Sequence, residues 1–295
     1  MNLIQKIKYY SNWNIGFCEQ TAEELISTQK LRSIHWMKHP FKDRWFADPF
    51  IYKVTDEDIV VFVEECMIDT PKGIISELVI DRKNYKLKDR YILLELTTHL
   101  SYPAIVRENG IVYVHPENGA SGKLNIYQYD EHQHRLVNPR CILDEAVADA
   151  TMYQIGGQYY ISATKFPDTQ EKAFIYCSDS ILGPFVQMSD KPYQNDKCCS
   201  RCGGNLFRNK DRFYRPAQNC ELRYGGSLNI MSMKTVGNSV EECLEFELKP
   251  QGNRYNLGLH TLNFDKGICV VDGYGYLYPF ISLFIKRIRK IIINK

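Results

Sequence analysis

The sequence predicts an all-β fold, a five-bladed β-propeller followed by a short C-terminal amphipathic helix. Three observations carry the prediction. A hairpin pattern occurs five times in the 295 residues, its copies are spaced by 54, 47, 55 and 56 residues, and further apolar strands fill the intervals. Repeats of that length indicate a propeller or a solenoid, and four strands per repeat make a propeller blade. A β-sandwich with as many strands leaves the period unexplained.

The first copy is DPFIYKVTDEDIVVFVEE (48–65), and GIISELVIDR and RYILLEL complete its blade. The second, SYPAIVRENGIVYVHPE (101–117), turns at Asn109-Gly110, a dipeptide suited to a tight hairpin. KLNIYQYD and RLVNPRCILD follow it. The third, DATMYQIGGQYYISAT (149–164), turns at Gly156-Gly157 and is followed by AFIYCSDS and PFVQMSD. The fourth, GNLFRNKDRFYRPAQN (204–219), leads into GSLNIMSMKT and CLEFELKP. The fifth, HTLNFDKGICVVDGY (260–274), has no such strands after it, so the segment Trp13–Cys18 is expected to close the ring. Residues 1–279 are thus expected to form the propeller and 280–295 a separate tail.

In a propeller the first strand of each blade lines the central channel. Antiparallel hairpins return their second strands to the same mouth. Asp48, Glu64, Glu65, Tyr102, His115, Glu117, Asp149, Lys165, Asn205, Arg215, Gln218, His260 and Asp272 fall on that ring. Pro49, Pro103, Pro116 and Pro216 flank ring residues and stiffen the strand ends.

Composition narrows the function classes. With 44% hydrophobic and 24% charged residues and a net charge of +2, nothing points to nucleic acid. The opening MNLIQKIKYYSNWNIGF lacks the features of a secretory signal, and no apolar run spans a bilayer, so a cytoplasmic chain is expected. Its ten cysteines then read as reduced thiols. Cys198, Cys199 and Cys202 contain one C-x-x-C, with Cys220 further on and no second pair, so packing is the default and neither metal nor cofactor is expected.

Two groups of ring residues suggest chemistry. Asp48 follows Trp45-Phe46, surroundings that raise a carboxyl pKa, and Trp45 offers a stacking platform for a sugar face. Arg201, Arg215, Gln218, Tyr224 and His260 bring cations and donors to the mouth, a set suited to a phosphate-bearing ligand. Structural ion pairing with the carboxylates is the competing reading of the arginines.

The segments WFADPF, VFVEE, YPAIV, YVHPE, DATMY, YYISAT, RCGGNLF and YRPAQNC with YGGSLNI resemble the N-terminal propeller of glucosamine inositolphosphorylceramide transferases. More distantly they are similar to the five-bladed enzymes of glycoside hydrolase family 43. The first likeness spans nearly the whole chain, and YRPAQNC followed by YGG is its most specific part. It implies a carbohydrate context, with related domains in bacterial surface-polysaccharide loci. The family 43 pattern implies Asp48 as general base and Asp149 as the aspartate that tunes and orients. Its third carboxylate, the acid of blade four, has no counterpart in Gly203-Gly204-Asn205. Glu65 or Glu117 would have to protonate a leaving oxygen instead. The resemblance favours Glu65 over Glu64, and it implies that sugar transfer in the plant proteins belongs to a separate exostosin-like domain.

The reading that follows is an enzyme of surface polysaccharide or glycolipid biosynthesis, a glycosyltransferase using a nucleotide sugar or sugar phosphate and a glycan acceptor. Catalytic candidates are Asp48, Asp149, Glu65 and Glu117; Trp45, Tyr102, Arg201, Arg215, Gln218, Tyr224 and His260 are the binding candidates. A glycoside hydrolase and a non-catalytic glycan-binding propeller are the alternatives.

The tail YPFISLFIKRIRKIIINK places Ile281, Phe284, Ile285, Ile288 and Ile292 at helical spacing among Lys286, Arg287, Arg289, Lys290 and Lys295, with no acid from Phe280 onward. Such a helix suits the anionic inner face of a membrane, with docking on its own propeller or on a partner protein as the alternative. Deleting residues 280–295 should leave a folded propeller that no longer co-sediments with anionic liposomes. Full-length protein should bind them, and lose them as salt approaches about 1 M.

Overall fold

The computed structural model describes residues 11–70, 72–236, 239–252 and 254–278, with 281, 282, 284, 285, 287 and 288 of the tail. It is a five-bladed β-propeller. Blade one comprises Arg44–Val54, Asp58–Met67, Gly73–Asp81 and Leu87–Leu94, hydrogen-bonded in that order from the channel outward. Blade two follows with Ser101–Glu108, Ile111–Glu117, Leu124–Asp130 and Arg135–Leu143. Blade three is Val147–Ile155, Gln158–Lys165 and Lys172–Ser178, edged by the short strands Val186–Gln187 and Gln194–Asn195. Blade four is Phe207–Asn209, Arg212–Asn219, Ser227–Val236 and Ser239–Leu248.

Blade five is assembled from both ends of the chain. Leu262–Asp265 and Ile268–Tyr276 supply its inner hairpin, and Ser11–Glu19 and His35–Trp36 its outer pair. Ser11–Glu19 pairs along its whole length with Ile268–Tyr276, as the sequence led us to expect for Trp13–Cys18. This junction removes the open sheet edges that an unclosed ring would expose. A helix, α1 (Ala22–Thr28), bridges the outer pair; Thr21 and Glu24 form its capping box, and Leu25 packs into the seam with blade four.

The cores lie between blades. Phe17, Val270, Phe46 and Val61 fill the seam of blades five and one, and Phe50, Phe62, Tyr102 and Val114 that of one and two. Ile126, Ile142, Met152 and Ile161 join two and three, while Tyr214, Ile230, Leu262 and Val271 join four and five. Alternation along each strand sends successive side chains to opposite neighbours, so a strand buried on both faces reads as continuously apolar. The seam of blades three and four differs. Its apolar cluster holds Cys199, Ala217 and Met231, with Cys198 against it.

At the mouth, blades one to three share one backbone device. The inner strand is bulged between Ala47 and Phe50, between Ser101 and Ala104, and between Ala148 and Thr151. The bulged residues Asp48, Tyr102 and Asp149 adopt left-handed φ values of 50°, 45° and 44°. Gly204 holds the equivalent place in blade four with φ 134°. Left-handed non-glycine residues cost about 1–3 kcal/mol each and persist only where surroundings over-determine them.

The tail divides its faces among the described residues. Ser282 and Ile285, three apart on one face, are buried, whereas Ile281 and Phe284 are 49% and 67% exposed. The apolar stripe is therefore split, one side packed inward and the other open. Lys286, Arg289, Lys290, Ile292 and Lys295 lie outside the described residues.

A methyl group on Gly204 would sit 2.0 Å from the Leu262 carbonyl oxygen. Gly204→Ala should therefore destabilise the propeller by about 2–4 kcal/mol, read as a lower urea midpoint at unchanged slope.

Candidate functional site

The bulges turn backbone N–H groups toward the channel, where side chains of other blades accept them. Asp48 N–H donates to Asp272 Oδ2 at 3.1 Å, and Tyr102 N–H to Asp48 Oδ2 at 3.1 Å. Asp149 N–H donates to Glu117 Oε2 at 3.0 Å. Gly204 N–H donates across the channel to the Tyr102 hydroxyl at 2.6 Å, which also meets Thr151 Oγ1 at 2.8 Å. Tyr102 is fully buried, so it ties blades rather than presenting a surface to ligand.

Around Asp48 the groups form a relay. His260 Nδ1 lies 2.5 Å from Asp272 Oδ2, and its Nε2 lies 3.7 Å from Asp48 Oδ1. Trp13 stacks on the imidazole at 4.0 Å. Thr261 Oγ1 donates to Asp48 Oδ1 at 2.9 Å, and the N–H groups of His260 and Thr261 donate to Asp272 Oδ1. Burial pushes the Asp48 carboxyl up to about 7; His260 draws it down, and Glu64, Asp149 and Asp272 push it up again. Burial alone would lower His260, yet Asp272 and Asp48 raise it to about 9. Asp48, His260 and Asp272 each offer one ligand atom within 4.8 Å of the others. Asp272 already accepts three backbone N–H groups and the imidazole, so the trio suits proton transfer better than cation binding.

A second cluster faces it from blades two to four. Arg201 Nε donates to Asp149 Oδ2 at 2.6 Å, and its Nη2 reaches Glu117 Oε2 at 3.5 Å. Gln218 Nε2 donates to the same Asp149 oxygen and to the Cys202 carbonyl. Burial and the adjacent Asp149 hold the Glu117 carboxyl well above the usual range, with Arg201 opposing. Tyr224, 45% exposed, stands edge-on to His260 at 5.5 Å and over Arg201 at 5.2 Å, forming a lip between the clusters. Gln218 Oε1 and both nitrogens of His115 are buried with no partner among the described residues. His115 shares a strand face with Glu117, one step deeper.

Several expected site residues fall elsewhere. Glu65 does point away from Glu64, but it is Glu64 whose charge acts on Asp48. Glu65 is fully buried between Arg44 (2.6 Å), Arg90 (2.5 Å) and Ser76 (2.7 Å), a structural cluster within blade one. Arg215 is also fully buried. Its guanidinium is taken by Glu242 at 2.6 Å and the Cys199 carbonyl at 2.6 Å, beneath Tyr193. Gln194 donates to Glu242 as well, so this group fastens the edge of blade three to blade four where apolar packing is thin. Lys165 turns outward to Glu145 at 2.6 Å. Trp45 is half-buried near the start of the mouth strand Arg44–Val54, paired with Cys66. Cys199 donates its thiol to Asp196, while Cys202 faces the Ser162 carbonyl, so the C-x-x-C pair is split between two environments. Thr261 and Trp13 are mouth residues that the sequence did not place there. Asp272 stood on the ring in VVDGY, but the partners that make it central come from other blades.

Residues 21–273 match the family described as glucosamine inositolphosphorylceramide transferase 1, N-terminal. The protein of that name from Oryza sativa subsp. japonica is 26% identical over 202 residues, 66% of this chain and 27% of the relative. The Arabidopsis thaliana protein is 27% identical over 210 residues, 69% of this chain. The chain thus spans about 27% of the length of these curated relatives. Among solved structures, a thermostable family-43 glycoside hydrolase superposes with a TM-score of 0.51 at 14% identity, covering 70% of this chain and 77% of the other. That likeness is one of fold.

Both shifted groups act on stability with the same sign. Folded Asp48 keeps to about pH 7 a proton that the unfolded chain loses near pH 4, and folded His260 keeps to about pH 9 one lost near pH 6.5. The unfolded state binds fewer protons in both windows, so this pair's contribution falls as pH rises from about 4 to about 9. Asp48→Asn should flatten the lower part of that fall and His260→Gln the upper, measured by denaturant unfolding at pH 5, 7 and 9.

Proposed function

Because the chain belongs to the glucosamine inositolphosphorylceramide transferase 1 N-terminal family, we propose that it is a carbohydrate-active enzyme that transfers a sugar from a phosphate-activated donor to a hydroxyl acceptor. The observation that carries this reading is the Asp48 carboxyl, held at the mouth by the His260–Asp272 relay and titrating near neutrality. A base poised there takes the proton of an acceptor hydroxyl as its oxygen attacks the anomeric carbon. Asp149 and Gln218, fixed by Arg201 and Cys202, bind sugar hydroxyls, and unpartnered Gln218 Oε1 awaits a donor. The plant relatives are named as transferases, which favours transfer over hydrolysis. The exposed Ile281 and Phe284 beside exposed Arg287 support attachment to an anionic, cytoplasm-facing membrane surface.

One observation favours a hydrolase as the second reading: Glu117 is a carboxyl held well above its usual range, the state required of a general acid. The two readings differ in what leaves. A phosphate group departs without protonation, whereas a plain glycosidic oxygen needs the acid.

Turnover of a nucleotide-sugar panel with glycan acceptors should fall about 10²–10⁴-fold in Asp48→Asn. Glu117→Gln should keep most of that transfer. Hydrolysis of aryl glycosides that is lost in both variants would establish the hydrolase instead. Unchanged transfer in Asp48→Asn would remove the base from the mechanism.

A further inference from the structure

A groove of about 920 Å³ runs outside the mouth, along the seam of blades five and one. Asn12 and Asn14 of the Ser11–Glu19 strand form one wall. The segment joining the two blades, residues 36–42, forms another, and Arg254 and Tyr255 close it. Side chains alternate along the strand, so Asn12 and Asn14 face the groove while Trp13 between them covers His260.

Two independent features describe what would fit. The first is charge. Lys38, Lys42, Arg44 and Arg254 line the groove, and no aspartate or glutamate is among its described lining residues. Arg44 is spent on Asp43 and Glu65. Lys38, Lys42 and Arg254 have no carboxylate partner among the described residues. The mouth is the reverse, with carboxyls outnumbering Arg201 and His260.

The second feature is unmet hydrogen bonding. Asn12 Oδ1, Asn14 Oδ1 and His39 Nδ1 are buried without partners among the described residues, and all three residues line this groove. Asn14 is 2% exposed, and its Nδ2 donates to the Met37 carbonyl at 3.0 Å, which fixes the amide with Oδ1 free to accept. A buried acceptor left unpaired is unfavourable, so hydroxyl donors are the complement these atoms ask for. Burial, with Arg254 adding to it, lowers the His39 pKa and keeps that ring neutral. Trp36 and Tyr255, with ring centroids 4.4 Å apart, supply an apolar wall for the C–H face of a ring.

We propose that this groove is a binding site for a phosphorylated polyol, its phosphate met by Lys38, Lys42 and Arg254 and its hydroxyls by Asn12, Asn14 and His39. The same chemistry is found in a free sugar or inositol phosphate and in a glycerophosphoinositol or glycosyl-phosphate lipid headgroup. The site is separate from the Asp48 relay and does not rest on the reaction assigned there.

The test uses the full chain. Calorimetry with myo-inositol 1-phosphate and glucose 1-phosphate, against myo-inositol and inorganic phosphate, examines the free source. Flotation with vesicles containing phosphatidylinositol, against phosphatidylserine at equal charge, examines the headgroup. At least one phosphorylated polyol should bind saturably, ten-fold or more tighter than its matched control. Lys42→Glu and Arg254→Glu, both at exposed positions, should weaken binding at least ten-fold without altering thermal unfolding. Asp48→Asn should leave it unchanged while abolishing transfer, which separates this site from the reaction at the mouth. Binding of the free phosphates identifies a soluble ligand, and binding of phosphatidylinositol vesicles alone identifies a headgroup. The proposal is overturned if neither the free phosphates nor phosphatidylinositol vesicles exceed their matched controls, if both charge reversals are silent, or if Asp48→Asn abolishes binding.

Discussion

Backbone N–H groups turned toward the channel by strand bulges, and caught there by acidic or phenolic side chains of other blades, fasten the centre of this propeller. Asp272 of blade five holds Asp48 of blade one, Asp48 holds Tyr102 of blade two, and the Tyr102 hydroxyl reaches Gly204 of blade four. Glu117 of blade two holds Asp149 of blade three. Each link needs a left-handed residue to present its N–H and an oxygen to receive it. The strain and the hydrogen bonds therefore stand or fall together.

The same links create the chemistry. Fastening five blades through acidic side chains crowds Asp48, Asp149, Asp272 and Glu117 into a space from which water is largely excluded. Desolvation and mutual repulsion then push the Asp48 and Glu117 carboxyls up, against the pull of the cations set among them. His260 and Arg201 are those cations, and each lies between two carboxylates. Proton affinity at the mouth thus follows from how the ring is closed. A change that loosens a bulge would also shift the titration of Asp48.

Charged groups elsewhere serve the architecture. Where blades three and four meet, Arg215 and Glu242 occupy a seam with little apolar surface, and the guanidinium is fully committed. Truncating one member would leave the other buried and unpaired, an outcome that typically costs about 3–5 kcal/mol. Cations free to meet an external anion lie instead along the outer seam of blades five and one. The protein thereby separates a carboxyl-rich centre from a cation-rich groove, two environments that would neutralise each other if merged.

Read alone, the chain determined the number of blades, the hairpins that start them, the closure by Trp13–Cys18, and the mouth positions Asp48, Tyr102, Asp149, Gly204 and His260. These follow from local pattern: turn chemistry at Asn109-Gly110, apolar runs of strand length, and a period near fifty. Pairing was not legible in the same way. Arg215 and Arg201 look alike in sequence, both basic residues near the start of blade four. Only the packed structure gives one to Glu242 and the other to Asp149. Glu64 and Glu65 are adjacent and chemically equivalent until strand alternation, fixed by register against Ala47 and Phe46, sends them to opposite faces. The outer groove gathers residues 12, 42 and 254, which no local pattern connects. A repeat can be read from neighbours in the chain, whereas a charge's partner depends on distances set only when all five blades have closed.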